Sequence, residues 1–243
     1  MELYHFHLIK TLWVNFKLLP FRQAIFCPFV IYNKTQVKLS RSSMRLNVPP
    51  RFGLIKWGFQ NDWQTSKYQP SLLMMVNGKL IINGSSIIAP GVTVRMHEGC
   101  LSLGEHSFIG GGCKVLSNNN ITIGSNCILA FNCVVCDTDF HYMEHDGKIK
   151  NSCGNIILGD NCWIGNYTTI MRGAILPSHT TVGSKSYVNK DFSATEPGSI
   201  LIGTPARIIK SGYKRIPSQR EGFLRQYFKT TSAAYYQESK DPN

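Results

Sequence analysis

The chain has 243 residues, 43% hydrophobic and only 16% charged, enough apolar material for one large domain or two small ones with a buried core. Lys and Arg number 26 against 14 Asp and Glu, a formal net charge of +12, but the distribution argues against a nucleic-acid-binding body. Residues 1–70 hold 10 basic and 2 acidic residues, 71–205 hold 8 and 9, and 206–243 hold 8 and 3.

Residues 1–77 form a basic, partly amphipathic segment. Lys10, Lys17 and Arg22 interrupt its apolar start, so no run reaches the length of a membrane span. Glu2 precedes that start, and Pro20 and Pro28 break it, unlike a secretory signal, so a cytoplasmic location is expected. Two roles fit the segment. It covers the open end of a repeat domain, or it lies on the anionic inner face of a membrane, and both can hold together.

Residues 78–206 are self-similar. Leu103 to Gly110, Ile123 to Ala130 and Leu158 to Gly165 are near copies of one phrase. Aliphatic anchors recur every six residues at Leu158, Ile164, Ile170, Leu176, Val182 and Val188. Upstream the same spacing gives Ile82, Ile88, Val94, Leu103, Ile109, Val115, Ile123, Leu129 and Val135, with short insertions between groups. The fourth residue after the anchor is small or β-branched at eleven of fifteen repeats; the exceptions are Glu98, Asn119, Asp139 and Phe192. Neither a helix nor an exposed strand has this period. Short strands joined by tight corners do, three to a turn. The expected fold is all-β, a parallel β-helix of about five to six coils with non-repeat segments at both ends.

Four of the eight cysteines occupy the small slot, where a thiol behaves as a compact hydrophobe. Cys133 and Cys136 form a C-x-x-C, but Cys133 sits in that slot and no second pair stands at zinc spacing. No metal is expected. The repeat breaks widely once, at the loop 136–156, which gathers Asp137, Asp139, His141, Glu144, His145 and Asp146. Function concentrates in such insertions from rigid scaffolds. Residues 207–243 are basic and expected to be helical around Arg220 to Lys229, with Glu238 to Asn243 expected to be disordered.

The hexads, Trp163 followed by Ile164 and Gly165, the run Ser186-Tyr-Val-Asn-Lys-Asp191 and the closing Gly203-Thr-Pro-Ala-Arg207 together resemble the hexapeptide-repeat acyltransferases. The likeness covers about residues 78–210 and is nearest to the galactoside and maltose acetyltransferases and to members that acetylate polysaccharide sugars. Thr11 to Pro20 also looks like the start of polysaccharide-cluster acyltransferases. The resemblance implies a left-handed β-helix, a homotrimer with active sites between subunits, acetyl-CoA as co-substrate and a sugar acceptor, small or lipid-linked.

It further implies that His141 is the general base at the root of the loop, with Asp137 or Asp139 holding its ring. By the same likeness, Trp163, Asn166, Ser184 and Asn189 line the coenzyme A arm, and Lys190, Arg207 and Lys210 meet its phosphates. Tyr142 stands where the family often has proline, Asn189 where it often has threonine, and Phe192 to Pro197 lengthen the last connection. Alternatives on the same fold are N-acylation of an amino sugar, a gamma-class zinc hydratase using His106, His141 and His145, and a catalytically silent scaffold.

Overall fold

In most hexads the chain turns a corner at the third residue after the anchor, which takes a positive φ. Asn126, Asn132, Asn161 and Gly112 have φ of 54°, 57°, 61° and 72°, values that asparagine and glycine adopt at low cost. The next residue points inward again, and its small size lets the following strand pass close to the axis. The computed structural model describes residues 6–60, 66–216, 218–231 and 233–236, and among these the corners fold the strands into a three-faced prism.

Nine strands line the first face, from Phe29–Ile31 through Ser86–Ile88, Phe108–Ile109, Ile128–Leu129, Trp163–Ile164 and Thr181–Val182 to Ile200–Gly203 and Ala206–Lys210. Seven line the second, including Thr35–Ser40, Ser71–Val76, Thr93–His97, Lys114–Ser117, Val134–Cys136, Thr169–Met171 and Tyr187–Val188. Six line the third, from Ser43–Leu46 to Ile175–Leu176. All pairs along the prism are parallel except the last on the first face, where Ala206–Lys210 folds back onto Ile200–Gly203.

All fifteen anchors are buried, none more than 1% exposed, and all eleven small residues four places later are buried with them. Among those eleven, several also donate a hydrogen bond. Ser86 Oγ reaches the Gly104 carbonyl at 2.7 Å, Ser107 Oγ that of Gly124 at 2.6 Å, and Cys127 Sγ that of Gly159 at 3.0 Å. Cys133 Sγ reaches Gly165 at 3.2 Å and Thr168 Oγ1 reaches Gly183 at 3.1 Å. In each case the acceptor follows the anchor of the next coil. Serine, threonine and cysteine recur because the slot needs small volume and a donor together.

The prism begins earlier than the hexads indicate. Of the two coils built from strands between Phe29 and Ile82, all but the last strand, Lys79–Ile82, lies within the segment expected to be a non-repeat cap of residues 1–77. The connections over 47–54 and 58–70 interrupt the six-residue spacing, yet Phe29, Ile31, Ile55, Trp57, Leu73 and Met75 are fully buried. The cap itself is helix α1 (Leu8–Leu18) with the short α2 (Phe21–Ala24). Helix α1 closes the open edge of Phe29–Ile31 with side chains. Asn15 Nδ2 donates to the Phe29 carbonyl at 2.7 Å, and the amides of Phe29 and Ile31 donate to Asn15 Oδ1 and Thr11 Oγ1, both at 3.1 Å.

At the other end, the basic segment from residue 207 opens in a strand, Ala206–Lys210, ahead of its helical stretch. The turn at Thr204 and Pro205 lets the chain pair with its own last strand and cover it. Helix α3 (Ser218–Thr230) includes the predicted helical stretch. The tail from Glu238 to Asn243, expected to be disordered, lies outside the described residues.

Candidate active site

The long loop leaves the second face after Cys136 and rejoins the third at Ile156. Its root is zipped: Thr138 and Cys153 bridge antiparallel, the Asp139 amide donates to the Ser152 carbonyl at 2.8 Å and the Gly154 amide to that of Asp137 at 3.0 Å. Its tip is a hairpin of Met143–His145 and Lys148–Lys150. Asp146 and Gly147, with φ of 50° and 70°, form the two-residue turn that a right-twisted hairpin favours. Phe140, His141 and Tyr142 occupy the junction between root and hairpin, all exposed.

Asp137 is fully buried. Its Oδ2 accepts from Ser117 Oγ at 2.8 Å and the Asn119 amide at 2.9 Å, while Oδ1 accepts from the Asn118 amide at 2.7 Å. Burial pushes this carboxyl up from its ordinary value, and the three hydrogen bonds oppose that rise. Asp139 forms an ion pair with Arg172 Nε. Within one chain, both carboxylates thus have partners other than His141, which has no hydrogen-bond partner among the described residues. His145 stands at the hairpin tip, 3.2 Å from Asp146 and almost wholly exposed. His106 turns the corner between the third and first faces, at a different edge from His141. The three histidines of the zinc alternative therefore do not gather within one chain, and no group of three metal-ligating side chains forms among the described residues.

On the first face a groove of about 320 Å³ brings together Trp163, Asn166 and Ser184, three of the residues the sequence points to. Phe108, Ile128 and Phe131 complete its apolar wall. Register stacks Trp163 between Ile128 and Thr181 in the outward column of that face. Gly165 lets the next coil close down on the groove: a Cβ there would stand 2.6 Å from the Ser184 amide. Farther along the same face, Arg207 pairs with Ile202 and Lys210 with Ile200, both cations exposed. Asn189 and Lys190 lie elsewhere. They follow Tyr187–Val188 at the edge between the second and third faces, the edge from which the long loop springs, and Lys190 Nζ sits 5.0 Å over the Phe192 ring.

A larger pocket, about 580 Å³, was not legible in the sequence. It lies on the second face under Phe140 and is lined by Met74, Val76, Thr93, Arg95, His97, Lys114, Leu116 and Asn118. These are mostly the outward residues on either side of the anchors, so only the stacking of three coils makes them neighbours.

No family model matches the chain. Galactoside O-acetyltransferase of Escherichia coli (strain K12) is 25% identical over 112 residues, covering 45% of this chain. The chain spans about half the length of that relative, 53%. The crystal structure of the polySia specific acetyltransferase NeuO superposes with a TM-score of 0.54 at 22% identity, covering 82% of this chain and 99% of that one. The fold is the left-handed β-helix of the hexapeptide-repeat acetyltransferases. AntD, an N-acyltransferase from Bacillus cereus solved in complex with dTDP-4-amino-4,6-dideoxyglucose and Coenzyme A, shares it at a TM-score of 0.50 and 15% identity, covering 94% of this chain and 100% of that one.

Proposed function

We propose that the protein is an acetyl-CoA-dependent O-acetyltransferase acting on a sugar hydroxyl of a surface polysaccharide or its precursor, with His141 as general base. One observation carries the proposal: Trp163, Asn166 and Ser184, drawn from two successive coils, converge on one groove of the first face. Such a groove suits the pantetheine arm, with aromatic and aliphatic walls for its methylenes and polar groups at the coil corner for its amides. Arg207 and Lys210, farther along the same face, offer fixed charge for the phosphates. AntD, which shares the fold, holds coenzyme A.

Acetyl-CoA supplies the acyl group as an activated thioester. A sugar hydroxyl is too weakly acidic to attack that thioester unaided, so a base must take its proton as the new bond forms. His141 is exposed, has no competing partner among the described residues, and stands on a root fixed by Asp137 and the Asp139–Arg172 ion pair. Those two aspartates act as positioning residues for the loop, and a partner for the His141 ring comes from outside the single chain. The groove lies on the first face and the loop at the far edge of the second. A homotrimer that sets the loop of one subunit against the groove of the next unites the two halves, and Asn189 and Lys190 then reach coenzyme A from the loop side.

The amino-terminal cap adds a second contact. Helix α1 buries Thr11, Val14, Asn15 and Leu18 and leaves Ile9 84% exposed, with Trp13 and Phe16 outward beside it. Phe21, its ring 5.8 Å from that of Phe16, extends this apolar patch, and Lys17 and Arg22 stand exposed on the same two helices. No helix among the described residues is long and apolar enough to cross a membrane. An apolar patch rimmed by cations fits an anionic membrane surface, where a lipid-linked acceptor is presented on the cytoplasmic side.

Titration with coenzyme A tests the proposal. A saturable rise in melting temperature is expected, weakened in Trp163→Ala. No shift at millimolar coenzyme A contradicts it.

A further inference from the structure

The pocket on the second face has a chemical character of its own. Half-buried Met74, Val76 and Leu116 give it an apolar lining, and Arg95, His97 and Lys114 stand exposed beside them with Asn118. No Asp or Glu lines it. Lys114 pairs in register with Thr93, and Leu116 with Arg95, so the two cations occupy neighbouring strands on the same outward side. Neither has an acidic partner among the described residues, whereas Arg172 is paired with Asp139 and Arg215 with Glu221. Two like charges on adjacent strands repel. An anion bound between them relieves that repulsion and meets both charges at once.

We infer that this pocket binds the anionic group, carboxylate or phosphate, of an acidic acceptor sugar, and thereby sets acceptor specificity. Arg95 and Lys114 meet the charge, Asn118 and Thr93 offer hydrogen bonds, and the apolar lining of Met74, Val76 and Leu116 takes the carbon face of a sugar ring. Phe140 lines the pocket and is followed directly by His141, so an acceptor held here lies beside the segment that carries the proposed base. The inference rests on the proposed acetyltransferase function for the role of His141, and on the pocket alone for the binding of an anion.

The test uses the full chain with Arg95→Ala, Lys114→Ala, the double variant, and Arg45→Ala as a control cation on the third face. Equilibrium binding is measured for three probes: a sialic acid oligomer, a galacturonic acid oligomer and a hexose phosphate, each beside its uncharged counterpart. Wild type is expected to bind at least one acidic probe and to bind the uncharged counterpart more weakly. Each pocket variant should weaken acidic binding about tenfold or more, the loss expected for a charged hydrogen bond, while Arg45→Ala leaves it unchanged. Preference for a carboxylate over a phosphate probe identifies which anion the pocket takes. In turnover with acetyl-CoA, the variants should raise KM for the acidic acceptor with kcat and coenzyme A affinity retained. Binding of no acidic probe, or equal binding by wild type and double variant, overturns the inference. Acidic binding that depends on both cations, in a protein that neither binds coenzyme A nor transfers acetyl, upholds the pocket and refutes the acetyltransferase proposal.

Discussion

Ser107 Oγ donates to the Gly124 carbonyl at 2.6 Å and accepts the Cys127 amide at 3.0 Å, stitching one coil to the next from inside the core. The same slot is filled by Ser86 one coil before and Cys127 one coil after, so a column of small donors runs inside the prism.

Removing one rung leaves a buried carbonyl and a buried amide without their partner. Ser107→Ala should destabilise the protein by about 1–3 kcal/mol in denaturant unfolding. Ser107→Cys should cost less, because cysteine fills the slot in neighbouring coils. Equal stability of Ser107→Ala and wild type would refute the role given to the column.

Asp137→Asn keeps the size of the side chain but replaces one accepting oxygen with an NH₂ group, which then faces the Asn118 amide on one side or Ser117 Oγ and the Asn119 amide on the other. A loss of about 1–3 kcal/mol is expected at neutral pH, with acetyl transfer reduced through disorder of the loop root. Burial raises the Asp137 carboxyl above its ordinary value, so the native state holds this proton more tightly than the unfolded state does. Wild-type stability should then fall as pH rises from the ordinary carboxylate value to the raised one, and level off above it. In Asp137→Asn that component is absent. Identical pH profiles for the two proteins would contradict it.

The hexads disclosed the anchors, the small slot and the loop because each repeats or interrupts a short period along the chain. The first two coils were hidden, since the connections over 47–54 and 58–70 stretch that period although Ile55 and Trp57 pack like later anchors. The partners of Asp137 were illegible for a different reason: Ser117, Asn118 and Asn119 come from the preceding coil, about twenty residues away. Convergence of Trp163, Asn166 and Ser184 followed from likeness to a family, while Arg95 and Lys114 became neighbours only when the coils were stacked.

Trp163 is 45% exposed, so Trp163→Ala should leave stability within about 0.5 kcal/mol of wild type. Its effect belongs to the groove, where KM for acetyl-CoA should rise about tenfold. Arg207→Ala with Lys210→Ala should weaken coenzyme A binding more at low salt than at high salt, as lost phosphate contacts require. Unchanged affinity in all these variants would move the coenzyme site off the first face.

Vesicles test the cap. Wild type should sediment with vesicles containing phosphatidylserine or phosphatidylglycerol and less with neutral ones. Ile9→Ser with Trp13→Ser should lose most of that binding while the fold is retained, since both residues point away from the prism. Equal sedimentation of variant and wild type, or none by wild type, would assign the patch to another protein surface.

The central claim is tested most directly by acetyl transfer from acetyl-CoA, followed as free thiol over a panel of sugars, in wild type and His141→Ala with coenzyme A affinity measured in parallel. The account predicts retained affinity and a loss of transfer of about 10²–10⁴-fold, the contribution of a positioned base. Transfer by His141→Ala at the wild-type rate would contradict it.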